Sequence, residues 1–339
     1  MPVSFPNQGI RRELSESENR DIIFILLAGS TAVAEIPGIS AAGASQDLMK
    51  LTPAVDSEII MAGRCLSMDV PPMTPEGIPT PSIITRACLQ STGIKSMIID
   101  AGLVKEPKVP FLKSGLGMAL DPRFRTSTPN FEKALEFGRY VGSILDGKYS
   151  NIVIGECIPG GTTTAYLVLR SAGYGVETSS SLQKDPSDLK MDVWKAANKR
   201  VPNVSDMMDS VREFGDYSMP ISIGLASGIE SSRLILAGGT QMALIGRLMR
   251  METGIEPFLA TTGWVIDHRK NTIDEVFGSD RVIRSDISFT SSRHSGLSQY
   301  DLGNVREGAG MGGAFMLGSI RTGEDSLYVD IDNLYESLS

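Results

Sequence analysis

The sequence predicts an α/β protein: a Rossmann-like, mostly parallel sheet with helices on both faces. Three observations predict it. Short apolar runs alternate with segments of helical periodicity, which is the βαβ order. The runs Ile22-Ile23-Phe24-Ile25-Leu26-Leu27-Ala28 and Ile152-Val153-Ile154 are apolar at every residue, as strands buried on both faces are. The second run leads into Gly155-Glu156-Cys157-Ile158-Pro159-Gly160-Gly161-Thr162-Thr163-Thr164, a bare, hydroxyl-lined turn between a strand and a helix.

In chain order, strands are expected at 22–28, 58–62, 96–99, 152–155, 221–225, and 258–260 or 264–266. The clearest helix spans 129–146. Thr128 is placed to cap it, Pro129 suits its first turn, and Phe131, Ala134, Leu135, Val141 and Leu145 form one apolar face. Gly138 falls on that face, where it lowers helix propensity but lets a neighbour pack closely. A helix opens after Gly161 and runs to Gly173; others are expected at 204–214, stopped by Gly215, and at 240–251. The proline-rich stretch 71–81 reads as the longest loop, with Pro79-Thr80-Pro81 stiff enough to wall a pocket. Met242, Met249 and Met251 read as core filler.

Composition narrows the function. With 339 residues, 41% hydrophobic and 21% charged, the chain can bury a large core and reads as a soluble globular protein. The 22–28 run is too short to span a bilayer and lacks signal-peptide grammar, so a cytoplasmic location is expected. Three cysteines without paired spacing imply neither a disulfide framework nor a zinc site. Two histidines make multi-histidine metal chemistry and a Ser-His-Asp hydrolase poor fits, and no metal or cofactor is expected. A net charge of -8 argues against a nucleic-acid backbone as the main partner.

The 155–164 run admits two readings. A helix N-terminus leaves N–H groups without partners and carries partial positive charge, so it favours a phosphate; capping preferences alone also put Gly-Thr at helix starts. Glu156, at the carboxyl end of a central strand, faces the crevice where open α/β sheets bind ligands. Gly238-Gly239-Thr240 opens a helix in the same way. Gly308, Gly310 and Gly313 match G-x-G-x-x-G, but lie too near the C-terminus to build a dinucleotide-binding unit. No Gly-Lys-Ser/Thr stands at P-loop spacing, which removes nucleoside triphosphate hydrolysis. Ser179-Ser180-Ser181 with Lys190, and Arg306-Glu307-Gly308, read either as exposed polar segments or as ligand contacts.

Taken in order, these motifs resemble the nicotinate-nucleotide dimethylbenzimidazole phosphoribosyltransferases of cobalamin biosynthesis, in their archaeal and cyanobacterial branch. The resemblance rests on Ile36-Pro37-Gly38-Ile39-Ser40-Ala41-Ala42-Gly43, Leu51-Thr52-Pro53-Ala54-Val55-Asp56-Ser57-Glu58, Gly77-Ile78-Pro79-Thr80-Pro81, the 155–164 run, Ser179 to Ser181, Arg293-His294-Ser295-Gly296-Leu297 and Val305-Arg306-Glu307-Gly308. It implies a single domain over 1–339, with a core at about 20–320 and a small helical subdomain from the chain termini. It also implies a homodimer, and transfer of phosphoribose from nicotinate mononucleotide to a benzimidazole-type base with release of nicotinate. Glu307 falls on the family's catalytic base and Glu156 on its second active-site acid. Gly155, Pro159, Gly160, Gly161, Thr162, Thr163, Gly238 and Gly239 fall to nucleotide binding, Ser180, Ser181 and Lys190 to the phosphate, and Pro79, Thr80 and Pro81 to the base pocket. The chain departs from the better-characterised bacterial enzymes at Gly160-Gly161, where they have Gly-Asn, at 293–296, where they have Glu-Pro-Gly-His, and around Ala87, where they have a glutamine. Transfer to another base, or nucleotide binding without catalysis, is the alternative on the same scaffold.

Overall fold

Seven strands form one sheet in a computed structural model that describes residues 2–338. In chain order the strands are β1 (Val3–Ser4), β2 (Ile22–Ala28), β3 (Lys95–Asp100), β4 (Asn151–Cys157), β5 (Arg233–Ala237), β6 (Phe258–Thr262) and β7 (Val282–Ser285). The helices are α1 (Gln8–Glu16), α2 (Gln46–Ala62), α3 (Ser82–Thr92), α4 (Phe131–Leu145), α5 (Gly161–Ser171), α6 (Ser187–Arg200) and α7 (Met207–Phe214). They continue as α8 (Ser218–Ser227), α9 (Thr240–Thr253), α10 (Gly263–Val276), α11 (Ser295–Ser298), α12 (Met311–Thr322) and α13 (Glu324–Leu338).

The sheet order is β1-β7-β6-β5-β4-β2-β3, with every pair parallel except β1 against β7. Winding runs outward from β2 to β3 and then returns to β4 on the other side of β2. The carboxyl ends of β2 and β4, in register at Ala28 and Cys157, therefore form the switch point where such sheets hold ligands.

The period of two along each strand sorts the core into two layers. Ile23, Ile25, Leu27, Ile152, Ile154, Leu234 and Leu236 pack with α4, α5, α8 and α9. Phe24, Leu26, Val153, Ile235 and Ala237 face the other way, where α3 and α12 meet α1 and α13 from the chain ends.

The glycine expected to admit a neighbour does so. A methyl group at Gly138 would overlap the Ile221 carbonyl of α8, and one at Gly142 the Leu225 carbonyl. Reciprocally, Gly224 and Gly228 lie on the Leu135 and Arg139 carbonyls of α4, so the two helices touch backbone to backbone.

Several expectations need correction. Residues 58–62 close α2, and 221–225 lie within α8, a helix buried on all sides and so without the periodicity that marks a surface helix. Residues 264–266 are in α10, while β5 and β7 were not anticipated as strands. Thr128 does not cap α4; its hydroxyl donates to the Arg212 carbonyl at 3.0 Å, and Asn130 is the residue at the helix start. Met251 is exposed, unlike Met242 and Met249.

Candidate functional site

A single cleft lies over the carboxyl edge of the sheet and encloses about 980 Å³ of empty space, part of it open to solvent. Its walls come from loops 39–43, 72–81, 156–162, 179–181, 239–241 and 305–309, so segments far apart in sequence meet at one place.

Glu156 enters from the end of β4. Its Oε2 accepts the Ile158 N–H at 3.0 Å, which turns the carboxylate over its own loop. Burial pushes its pKa up to about 8, with further push from the carboxylate of Asp216 and then from Glu307. Asp216 lies fully buried behind the cleft and accepts from Ser218, Thr164 and Gln241, and burial raises its pKa too.

Glu307 enters from the loop before α12, which is tied to the end of β4 where the Ala309 N–H donates to the Glu156 carbonyl at 3.0 Å. It accepts the N–H groups of Gly308 and Gly312 at 3.2 Å. These donors favour the charged form, but burial outweighs them and pushes the pKa up to about 7. Two acids whose pKa values burial has raised to near neutrality therefore share one cleft, where Glu307 opposes ionisation of Glu156.

Helix N-termini supply the positive counterpart. α5 and α9 both start at the cleft, α5 at Gly161, the second of a glycine pair, and α9 at Thr240, directly after one. Gly160 has φ 81 and leaves no room for a side chain, because Thr31 lies against it and donates to the Pro159 carbonyl at 2.7 Å. Gly161 is similarly covered by Gln241. The glycines thus serve the turn's own packing while baring its backbone.

The serine loop forms the next wall. Lys190, fully buried, donates to Thr178 Oγ1 at 2.9 Å and to the Ser179 carbonyl at 3.0 Å. Burial draws its pKa down to about 7. Arg306 donates to the carbonyls of Ser180 (3.0 Å), Leu182 (3.2 Å) and Gln183 (3.3 Å). Asp185 neutralises part of this charge by pairing with Arg269 and, at 3.8 Å, with Arg306.

At the far end, Asp56 of α2 accepts from Thr80 Oγ1 (2.7 Å), Ser82 Oγ (2.9 Å) and Cys157 Sγ (3.1 Å). It fastens the proline loop to the end of β4. Burial raises its pKa to about 6. Tyr300 holds the same loop by donating to the Pro79 carbonyl at 2.6 Å.

Of the residues singled out in the sequence, Pro79, Thr80, Pro81, Glu156, Pro159, Gly160, Gly161, Thr162, Ser180, Ser181, Gly239 and Glu307 line this cleft. Gly155, Thr163, Lys190 and Gly238 do not. Gly155 lets α12 approach: a methyl group there would stand 2.9 Å from Gly310 Cα. Gly310 and Gly313 of the glycine-rich turn likewise seat α12 on β4 and β5. Thr163 is buried inside α5, and a methyl group at Gly238 would stand 2.6 Å from Met242 Cγ. Asp56, Gln241 and Arg306 were not singled out. Arg306 carried a signal, a cation beside a candidate acid; Asp56 stood only within the 51–58 motif, and Gln241, the second residue of α9, carried none.

No group of His, Cys, Asp and Glu among the described residues is arranged to hold a metal, and no described helix is long and apolar enough to cross a membrane. No family model matches the chain. The UPF0284 protein of Thermoplasma volcanium is 40% identical over 330 residues, 97% of each chain. That of Archaeoglobus fulgidus is 37% identical over 305 residues, 88% of this chain and 89% of its own. Among solved structures, nicotinate-nucleotide-dimethylbenzimidazole phosphoribosyltransferase from Thermus thermophilus superposes with a TM-score of 0.56 at 18% identity, covering 89% of this chain and 82% of that one. CobT from the same organism gives a TM-score of 0.57 at 17% identity, covering 92% and 90%. At such identities the likeness is one of fold.

Proposed function

The chain belongs to the UPF0284 family, and on that premise we propose that it transfers phosphoribose from nicotinate mononucleotide to a benzimidazole-type base. The observation that carries the reading is the meeting of Glu156 and Glu307 in one cleft at the switch point of the sheet, beside two helix N-termini. The fold shared with the Thermus thermophilus enzyme supports it.

In this reading the nucleotide's phosphate lies against the N-termini of α5 and α9 and the serine loop, where N–H groups and hydroxyls favour an anion. Its ribose faces Glu156. The bond from ribose C1 to the pyridinium nitrogen breaks with its electron pair passing to nitrogen, so nicotinate leaves with a neutral ring. That departure needs no acid. Positive charge grows on the sugar, and the carboxylate of Glu156 stabilises it. A cationic pyridinium beside Glu156 also draws off the proton that burial favours there.

The acceptor lies between Glu307 and the proline loop fastened by Asp56. One imidazole nitrogen attacks C1 from the opposite face of the ribose while the other gives its proton to the Glu307 carboxylate. The product is the α-anomer, α-ribazole phosphate. Lys190, turned towards Thr178 and Ser179, acts by holding the serine loop. On the same reading the enzyme works as a homodimer in the cytoplasm.

The test is incubation of purified protein with nicotinate mononucleotide and a panel of benzimidazoles, purines and phenols. Nicotinate release that depends on a benzimidazole supports the proposal. Release with purines or phenols alone moves the acceptor class, and no release with any base sinks the transfer chemistry.

A further inference from the structure

The three cations behind the serine loop share one geometry: each donates to loop carbonyls. Lys190 takes that of Ser179, Arg269 that of Thr178 and Arg306 that of Ser180. In a trans peptide the C=O and N–H point in opposite directions. The N–H groups of Ser180 and Ser181 therefore face away from Lys190 and Arg306, and both residues line the cleft. Successive N–H groups turned to one side make a concavity for an anion.

Arg306 differs from the other two because Glu307 follows it directly. Its backbone is tied on both sides: its carbonyl accepts from Thr262 Oγ1 at 2.6 Å, and the Val305 N–H donates to the Ser181 carbonyl at 3.2 Å. Val305 has φ 52 and Ala309 φ 50, a left-handed backbone that side chains, a β-branched one above all, adopt at a cost. The segment bearing Glu307 is thus held by its contacts rather than by its own preference.

We infer that Arg306 is a positioning residue that couples the two ends of the cleft: its guanidinium holds the serine loop with N–H groups turned to the phosphate, while its backbone sets Glu307 against the acceptor. Arg306 makes and breaks no bond. The inference rests on the nucleotide reading proposed above.

The test compares the full-length protein with Arg306→Ala and Arg306→Lys, using nicotinate mononucleotide and inorganic phosphate as probes. In the wild type, either probe slows backbone hydrogen exchange at 179–183 and also at 305–312. In Arg306→Ala, nucleotide affinity falls about tenfold with the loss of charge-assisted bonds, and protection at 305–312 disappears even at saturation. Turnover at saturating nucleotide falls about a hundredfold, as expected for a displaced catalytic group. Arg306→Lys keeps a charge but cannot fork across three carbonyls, so it recovers part of the affinity and little of kcat; it also serves if the alanine variant does not fold. Unchanged kcat at saturation with protection still reaching 305–312 in both variants would overturn the inference. A wild type that binds neither probe sinks it together with the nucleotide reading. A wild type that binds both without turnover sinks only the transfer chemistry, and the exchange pattern still decides the role of Arg306.

Discussion

The Gly312 N–H donates to both carboxylate oxygens of Glu307, at 3.2 and 3.3 Å, so the acid folds back over the N-terminus of α12. A methyl group at Gly312 would stand 2.7 Å from Glu307 Oε2 and 2.8 Å from the Thr261 carbonyl carbon. Gly312→Ala is therefore expected to displace the acid and lower kcat about a hundredfold while nucleotide affinity holds. Steady-state kinetics beside calorimetric titration with nicotinate mononucleotide measures both.

The pH dependence follows from the same acid. Glu307 works as a carboxylate, and its pKa is pushed up to about 7. The kcat/KM for the base should thus fall below about pH 7 and level off above it. Nucleotide binding near neutrality should also release a proton, because the pyridinium draws it from Glu156. Calorimetry in buffers of different ionisation heat measures that proton directly, and uptake in place of release contradicts the placement of the ribose.

Glu156→Gln separates function from stability. The pKa of Glu156 is raised to about 8, above that of a free carboxylate. The folded chain then holds a proton that the unfolded chain has lost; this stability is complete below the unfolded pKa and declines as pH rises through about 8. The variant should lose turnover by about two to three orders of magnitude yet melt with a smaller fall in Tm between pH 5 and 9. A wild-type Tm that rises over that interval contradicts the raised pKa.

The α4–α8 contact predicts a large effect from one methyl group. Gly224→Ala drives a side chain into the Leu135 carbonyl and should destabilise the fold by about 1–3 kcal/mol. Gly175→Ala meets no atom within 4 Å and should leave the chemical-denaturation midpoint in place.

These sites show what was legible in the sequence. The β4 turn was readable because an apolar strand, a glycine pair and a helix follow in order, and Gly138 because a glycine on an apolar face has a packing meaning. The same grammar, Leu234-Ile235-Leu236-Ala237-Gly238-Gly239-Thr240, contained β5, though only its glycines drew notice. Residues 58–62 and 221–225 misled because a short, largely apolar run fits a buried strand and a buried helix equally. Lys190 was legible only through the family resemblance and Arg306 only as a cation beside a candidate acid; that both turn towards loop carbonyls is set by the fold.

The central claim is tested most directly by one reaction, wild type against Glu307→Gln, containing nicotinate mononucleotide and 5,6-dimethylbenzimidazole. Nicotinate and α-ribosylated base are followed together by chromatography and NMR. The account predicts their appearance in equal amounts, only when both substrates are present, with kcat about two to four orders of magnitude lower in the variant and nucleotide binding intact. Nicotinate release without a ribosylated base, or a Glu307→Gln variant as active as the wild type, would contradict it.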